Sequence, residues 1–95
     1  MFDDAFLKAL DEYVRLDIQN CLKLNLNDGT GKTVWGYDNG HDFWFGHTIG
    51  MTTRTAIQIF IDAYNRLPSN IENKAIIEKI NGYSSQYKQA FERLK

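Results

Sequence analysis

One cysteine, one proline and a net charge of −1 are all that these 95 residues offer of three informative features. A lone thiol, Cys21, cannot close an internal disulfide, so the fold is expected to rest on packing and to suit a reducing interior. Near-neutrality argues against a generic nucleic-acid or polybasic membrane binder. No apolar run approaches the roughly 18 residues of a membrane span. The opening MFDDAF places acids where a secretory signal needs bases. A cytoplasmic protein with no membrane partner is expected. No repeat, linker or low-complexity tract subdivides the chain, so residues 1–95 read as a single domain.

Aromatic residues are plentiful, at 14% of the chain, which is ample apolar area for a small core. The bias toward Asn, Ile, Lys, Tyr and Phe is that of an AT-rich genome, a low-GC bacterium or its phage. Acids outnumber bases five to two in residues 1–20, and bases outnumber acids five to three in residues 69–95. An acidic first helix lying beside a basic last one is expected.

Leu7, Leu10, Val14, Ile18 and Cys21 recur at helical steps over residues 3–20, with Asp3 as N-cap and Phe2 placed to staple onto Leu7. The period then shifts. Leu22, Leu24 and Leu26 alternate with polar residues, Asp28-Gly29 suits a turn, TVWGYD is β-branched and aromatic, and Asn39-Gly40 is a strong hairpin signal. HDFWFGHTI reads as the return strand. Thr52 or Thr53 then caps a helix through Leu67, ended by Pro68. Ser69 and Glu72 have capping-box spacing for a further helix. Its stripe, Ile76, Ile80, Tyr83, Tyr87, Ala90 and Leu94, is heptad-like. Gly82 either sits within one helix or splits it, with Ser84 or Ser85 capping the second piece. The expected fold is α+β: an N-terminal helix, a three-stranded antiparallel meander, and two or three C-terminal helices packed on the sheet.

A two-residue Asn39-Gly40 loop would place Trp35 opposite Trp44 on the core face with the leucines, and Tyr37 opposite Asp42. The other face would carry Phe43 over Gly36, with Val34 and Phe45 beside them. Lys32, His41 and His47 would form the rim. Either a C-terminal helix covers the Val34, Phe43 and Phe45 patch or it is a partner surface; in the second case Lys32, Val34, His41, Phe43, Phe45 and His47 are the candidate partner-binding set.

Catalytic, cofactor and metal sites are not expected. GTGKT resembles the end of a phosphate-binding P-loop, but the pattern needs a glycine where Leu26 stands, and a helix after the lysine where a strand is predicted. His41 and His47, six residues apart on a strand, would lie too far apart to share an ion. Cys21 falls on an apolar stripe without an activating partner. The acidic pairs Asp3/Asp4 and Asp11/Glu12 suit a solvated helix rather than a cleft.

Trp44-Phe45-Gly46 is similar to the W-x-G turn of small secreted helical-hairpin proteins. That family sets it between two long helices, whereas a strand is predicted here, so membership is not implied. The helix–meander–helices order is similar to that of some small phage-encoded inhibitors of bacterial defence systems, a likeness of predicted topology that no residue motif carries. Three functions follow as expectations. The first is a small non-enzymatic protein-binding module, an inhibitor, immunity or accessory factor, acting through the aromatic hairpin face. The others are single-stranded nucleic-acid or nucleotide binding on the same sheet, and self-association through the Ile76–Leu94 stripe, as in a homodimer.

Overall fold

The computed structural model describes residues 1–24 and 30–94. Their elements are α1 (Asp4–Lys23), α2 (Thr30–Trp35), α3 (Gly40–Tyr64), α4 (Asn70–Asn81), α5 (Ser84–Ala90) and a 3-10 turn (Glu92–Leu94). No strand occurs among the described residues. The expected α+β fold and its three-stranded meander are therefore incorrect: this is an all-helical bundle, 41 × 22 × 19 Å. Its length is that of α3, whose 25 residues extend about 37 Å at 1.5 Å each.

The first helix forms as its periodicity predicts. Asp3 caps it, its Oδ1 accepting from the Phe6 amide at 2.8 Å. The inward face is Phe6, Leu10, Val14 and Cys21, with Leu7 and Ile18 half-buried. Phe2 staples onto Phe6 rather than Leu7, with ring centroids 4.9 Å apart, and both rings pack on Phe60. The predicted first strand does not form over its described residues: Leu22 and Lys23 continue α1 and Leu24 is its C-cap, and Leu26 and Asp28-Gly29 lie outside the described residues.

The hairpin is replaced by a helical corner. TVW winds into α2, and Gly36, at φ +69°, turns the chain where a side chain would be strained. Asn39 is an N-cap rather than a turn residue: its Oδ1 accepts from the Asp42 amide at 3.0 Å, and Gly40 begins α3. HDFWFGHTI forms the first turns of α3, which runs unbroken through Thr52 and Thr53, so neither threonine caps a helix. Trp44-Phe45-Gly46 lies within this helix and not in a turn. With no meander, the topological likeness to phage-encoded inhibitors lapses.

Asn65, in the left-handed region at φ 56°, ends α3 ahead of Pro68. The predicted capping box is present, Ser69 and Glu72 bonding reciprocally. Gly82 ends α4, and α5 starts afresh at Ser84, with Tyr83 at its N-cap and no side-chain cap bond. Ile76, Ile80, Tyr87 and Ala90 are buried and Tyr83 and Leu94 half-buried, so the heptad-like stripe is consumed in the core.

The acidic α1 does lie beside α5, but hydroxyls join them more than ion pairs do. Tyr83 donates to Asp11 at 2.9 Å and Tyr87 to Asp17 at 2.7 Å. The Arg93 guanidinium donates to the carbonyls of Cys21 and Leu24 at 2.8 and 2.7 Å and also to that of Ala90, capping the C-terminal end of α1 from the far end of the chain.

Candidate functional site

The corner between α2 and α3 holds a cluster of aromatic rings. Gly31 lets α2 approach: a Cβ there would stand 3.1 Å from the Trp44 ring and 3.4 Å from the Tyr37 hydroxyl. Trp44 Nε1 donates to that hydroxyl at 3.1 Å. Tyr37 stacks on Phe43 with centroids 4.3 Å apart, Trp44 meets Phe43 edge-on at 5.1 Å, and His47 meets Trp44 edge-on at 5.6 Å. The rings fix one another by offset and edge contacts.

Over this base lies a groove of about 380 Å³, walled by Trp35, Phe43, Trp44 and His47. Trp35 is 67% exposed and its neighbour Val34 66%. Trp44 and His47 separate it from a smaller recess of about 200 Å³, bordered by Leu24, Met51, Cys21 and Asp17 among others. Leu24 and Met51 are themselves exposed, so the apolar surface continues past the groove.

The six expected binding residues divide. Phe43 and His47 line the groove, and Lys32 and Val34 are exposed on α2 beside it. His41 and Phe45 do not belong to this surface. His41 is buried, with Nε2 3.2 Å from the Lys88 carbonyl and Nδ1 3.2 Å from an Asp42 oxygen. Phe45 packs on the core, and the Lys88 ammonium lies 5.3 Å from its ring centroid. On a strand, Phe43 and Phe45 would share a face; on a helix, residues two apart point about 160° from each other. The Val34/Phe43/Phe45 patch is therefore not formed, and Phe43 covers Tyr37 rather than Gly36.

Trp35 and Trp44, assigned by the hairpin register to a buried cross-strand pair, are the additional site residues. The sequence carries a signal for them: Gly31 and Trp35 are one helical turn apart, so the face of α2 that meets Trp44 at Gly31 also presents the Trp35 indole.

In GTGKT a helix does form, but it begins at Thr30, before Lys32, and has six residues. Leu26 in the place of the required glycine remains the departure from a P-loop. His41 and His47 are about 9 Å apart along a helix and differ by about 120° in direction, rather than being separated along a strand. No group of three metal-ligating side chains gathers among the described residues. Cys21 is 4% exposed, and burial with the Asp17 charge pushes its thiol up to about 11. Tyr87, Thr52 and Asp17 satisfy one another: Thr52 donates to Asp17 at 3.0 Å, and its hydroxyl lies 3.2 Å from that of Tyr87. Burial and Asp17 raise the Tyr87 phenol well above its ordinary value. No helix of the described residues is long and apolar enough to cross a membrane.

Outside the groove, Gly46 and Gly50 stand at exposed positions inside α3, with nothing within 4 Å of the Cβ either would carry. Each costs the helix about 1 kcal/mol relative to alanine, and no contact within the fold requires them.

Comparison with known protein families, curated proteins and solved structures finds no match to this chain.

Proposed function

We propose that the chain is a small non-enzymatic protein-binding module, of the inhibitor, immunity or accessory kind, which engages its partner at the α2–α3 aromatic groove. The observation that carries this reading is the exposed indole of Trp35 over a ready-made ring pocket. Burying such a side chain is worth about 1.5–3 kcal/mol, and the fold leaves that energy unused. Tryptophans in apolar settings are the commonest binding anchors, and this one stands on a short helix held by Gly31 against Trp44. Val34 and Lys32 form the near rim, and Phe43 and His47 the opposite wall.

Three side chains that could serve catalysis are otherwise engaged. Asp17 accepts from Tyr87 and Thr52, Asp11 from Tyr83, and the Cys21 thiol is buried and held neutral. Stacking of nucleic-acid bases on the same rings competes with protein binding. Asp38 and Asp42 on the segment that carries the rings, against the single Lys32 of α2, disfavour phosphates there.

The test is quantitative affinity capture from the source cell with wild type, Trp35→Ala and Ile71→Ala. Ile71 is 70% exposed on α4 and controls for surface stickiness. A partner lost with Trp35→Ala and kept with Ile71→Ala supports the reading. Equal recovery by all three folded proteins removes the groove from function, and tight low-salt binding of an oligonucleotide would favour base stacking instead.

A further inference from the structure

Asp42, Gly46, Gly50 and Arg54 follow one another every four residues along α3, and all four are exposed. Side chains spaced by four form a ridge on a helix. Here the two middle positions have no side chain, so the ridge becomes a trough with an acid at one end and a base at the other. Phe43 and Thr53 flank it. The Thr53 hydroxyl already donates to the Ile49 carbonyl at 2.8 Å, so it asks for no partner. The Asp42 side chain is 76% exposed, and Arg54 makes no ion pair among the described residues.

This face is its own complement. A twofold axis crossing α3 at the level of Thr48 exchanges position 42 with 54, 46 with 50, and 43 with 53. We infer that it docks a second copy of the chain, α3 antiparallel to α3. The glycine troughs meet at the crossing, and Asp42 of each copy pairs with Arg54 of the other. When two helices pack through their four-residue rows, the rows run parallel at a crossing angle of about −50°, which keeps each acid alongside the opposing base. Glycine at the crossing lets the backbones come closer than the usual 8–10 Å.

Charge selects the occupant. An unrelated acidic or basic partner satisfies one end of the trough and opposes the other. A symmetry-related copy satisfies both ends twice, as an isologous interface requires. It also gives the two glycines a purpose that the isolated fold does not supply. One helix per protomer is a small contact, below about 1,200 Å² in total, which makes the dimer a weak, concentration-dependent one. The inference is independent of the groove, from which only Phe43 is shared.

Sedimentation velocity of the full chain, from low micromolar to sub-millimolar concentration, tests it. Wild type shifts from monomer to dimer over this range. Gly46→Ala/Gly50→Ala melts at a higher temperature, because both changes favour the helix, yet dimerises about tenfold more weakly. Arg54→Glu sets like charges together and weakens the dimer about tenfold. Asp42→Lys/Arg54→Glu restores it, a rescue that a purely intramolecular role for either residue would not give. A wild type that stays monomeric overturns the inference. So does an Arg54→Glu dimer as tight as wild type, or a double reversal as weak as the single, each judged at matched helicity.

Discussion

The Tyr87 hydroxyl donates to the carboxylate of Asp17 at 2.7 Å, tying α5 to α1 across 70 positions of sequence. Thr52 of α3 donates to the same oxygen, so one half-buried carboxylate joins three helices. Tyr87→Phe leaves Asp17 with one protein donor and is expected to cost about 1–3 kcal/mol in urea unfolding. A double-mutant cycle with Asp17→Ala should give a coupling above about 0.5 kcal/mol. Additive losses would show that the bond contributes little.

Arg93 is expected to matter more than a terminal arginine ordinarily does. Its guanidinium reaches carbonyls at the ends of two helices, Cys21 and Leu24 of α1 and Ala90 of α5. Arg93→Ala should destabilise by about 1–2 kcal/mol. Arg93→Lys should recover less than half of that, since an ammonium lacks the planar fork. Hydrogen exchange at the C-terminal turn of α1 should quicken in both variants.

Acid should weaken the α3–α4 junction. The Arg66 guanidinium, 2.7 Å from Glu72, and the Ser69 amide hold the Glu72 carboxyl down at about 2, against an ordinary 4.5. The folded state thus favours the ionised form. Its stabilisation is complete above about 4.5 and is lost as pH falls toward 2. Unfolding midpoints of wild type should fall over that window more steeply than those of Glu72→Gln, and added salt should narrow the gap.

The Cys21 thiol should be inert in the native protein. Burial keeps it protonated up to about 11, so a disulfide reagent at pH about 8 should label it only as fast as the chain opens. In urea the reaction should be prompt. Fast native labelling would contradict the packing of α1 on α3 and α5.

These local bonds also show which parts of the fold were legible in the sequence. Asp3 and the Ser69/Glu72 box act within a turn of themselves and occur where the pattern places them, whereas the pattern left a break at Gly82 open and the helix does end there, without a serine cap on α5. The meander failed because its signals were ambiguous. Asn39 serves a helix N-cap as well as a type I′ turn. His41, Trp44, Phe45, Thr48, Ile49 and Thr52 recur at helical steps, although alternate residues from His41 to His47 also fit a strand. Tertiary contacts decided between them: His41 against Lys88 and Thr52 against Asp17 and Tyr87 join α3 to residues 35 or more positions away. Two of the six expected binding residues left the surface with that choice. Phe43 and His47 stayed at the groove, whereas Phe45 and His41 turned inward. The Gly31–Trp35 spacing signals the exposure of Trp35 only once residues 30–35 are helical, and the strand reading of TVW hid it.

The most direct test places a photo-crosslinking residue at position 35 and, separately, at position 71, and irradiates each protein in the source cell. The two sites are nearly equal in exposure, 67% and 70% for the native side chains, but Trp35 borders the ring-lined groove and Ile71 lies on α4. A discrete protein adduct from position 35 alone is the predicted result. No adduct from position 35, or the same adducts from both positions, would contradict the account.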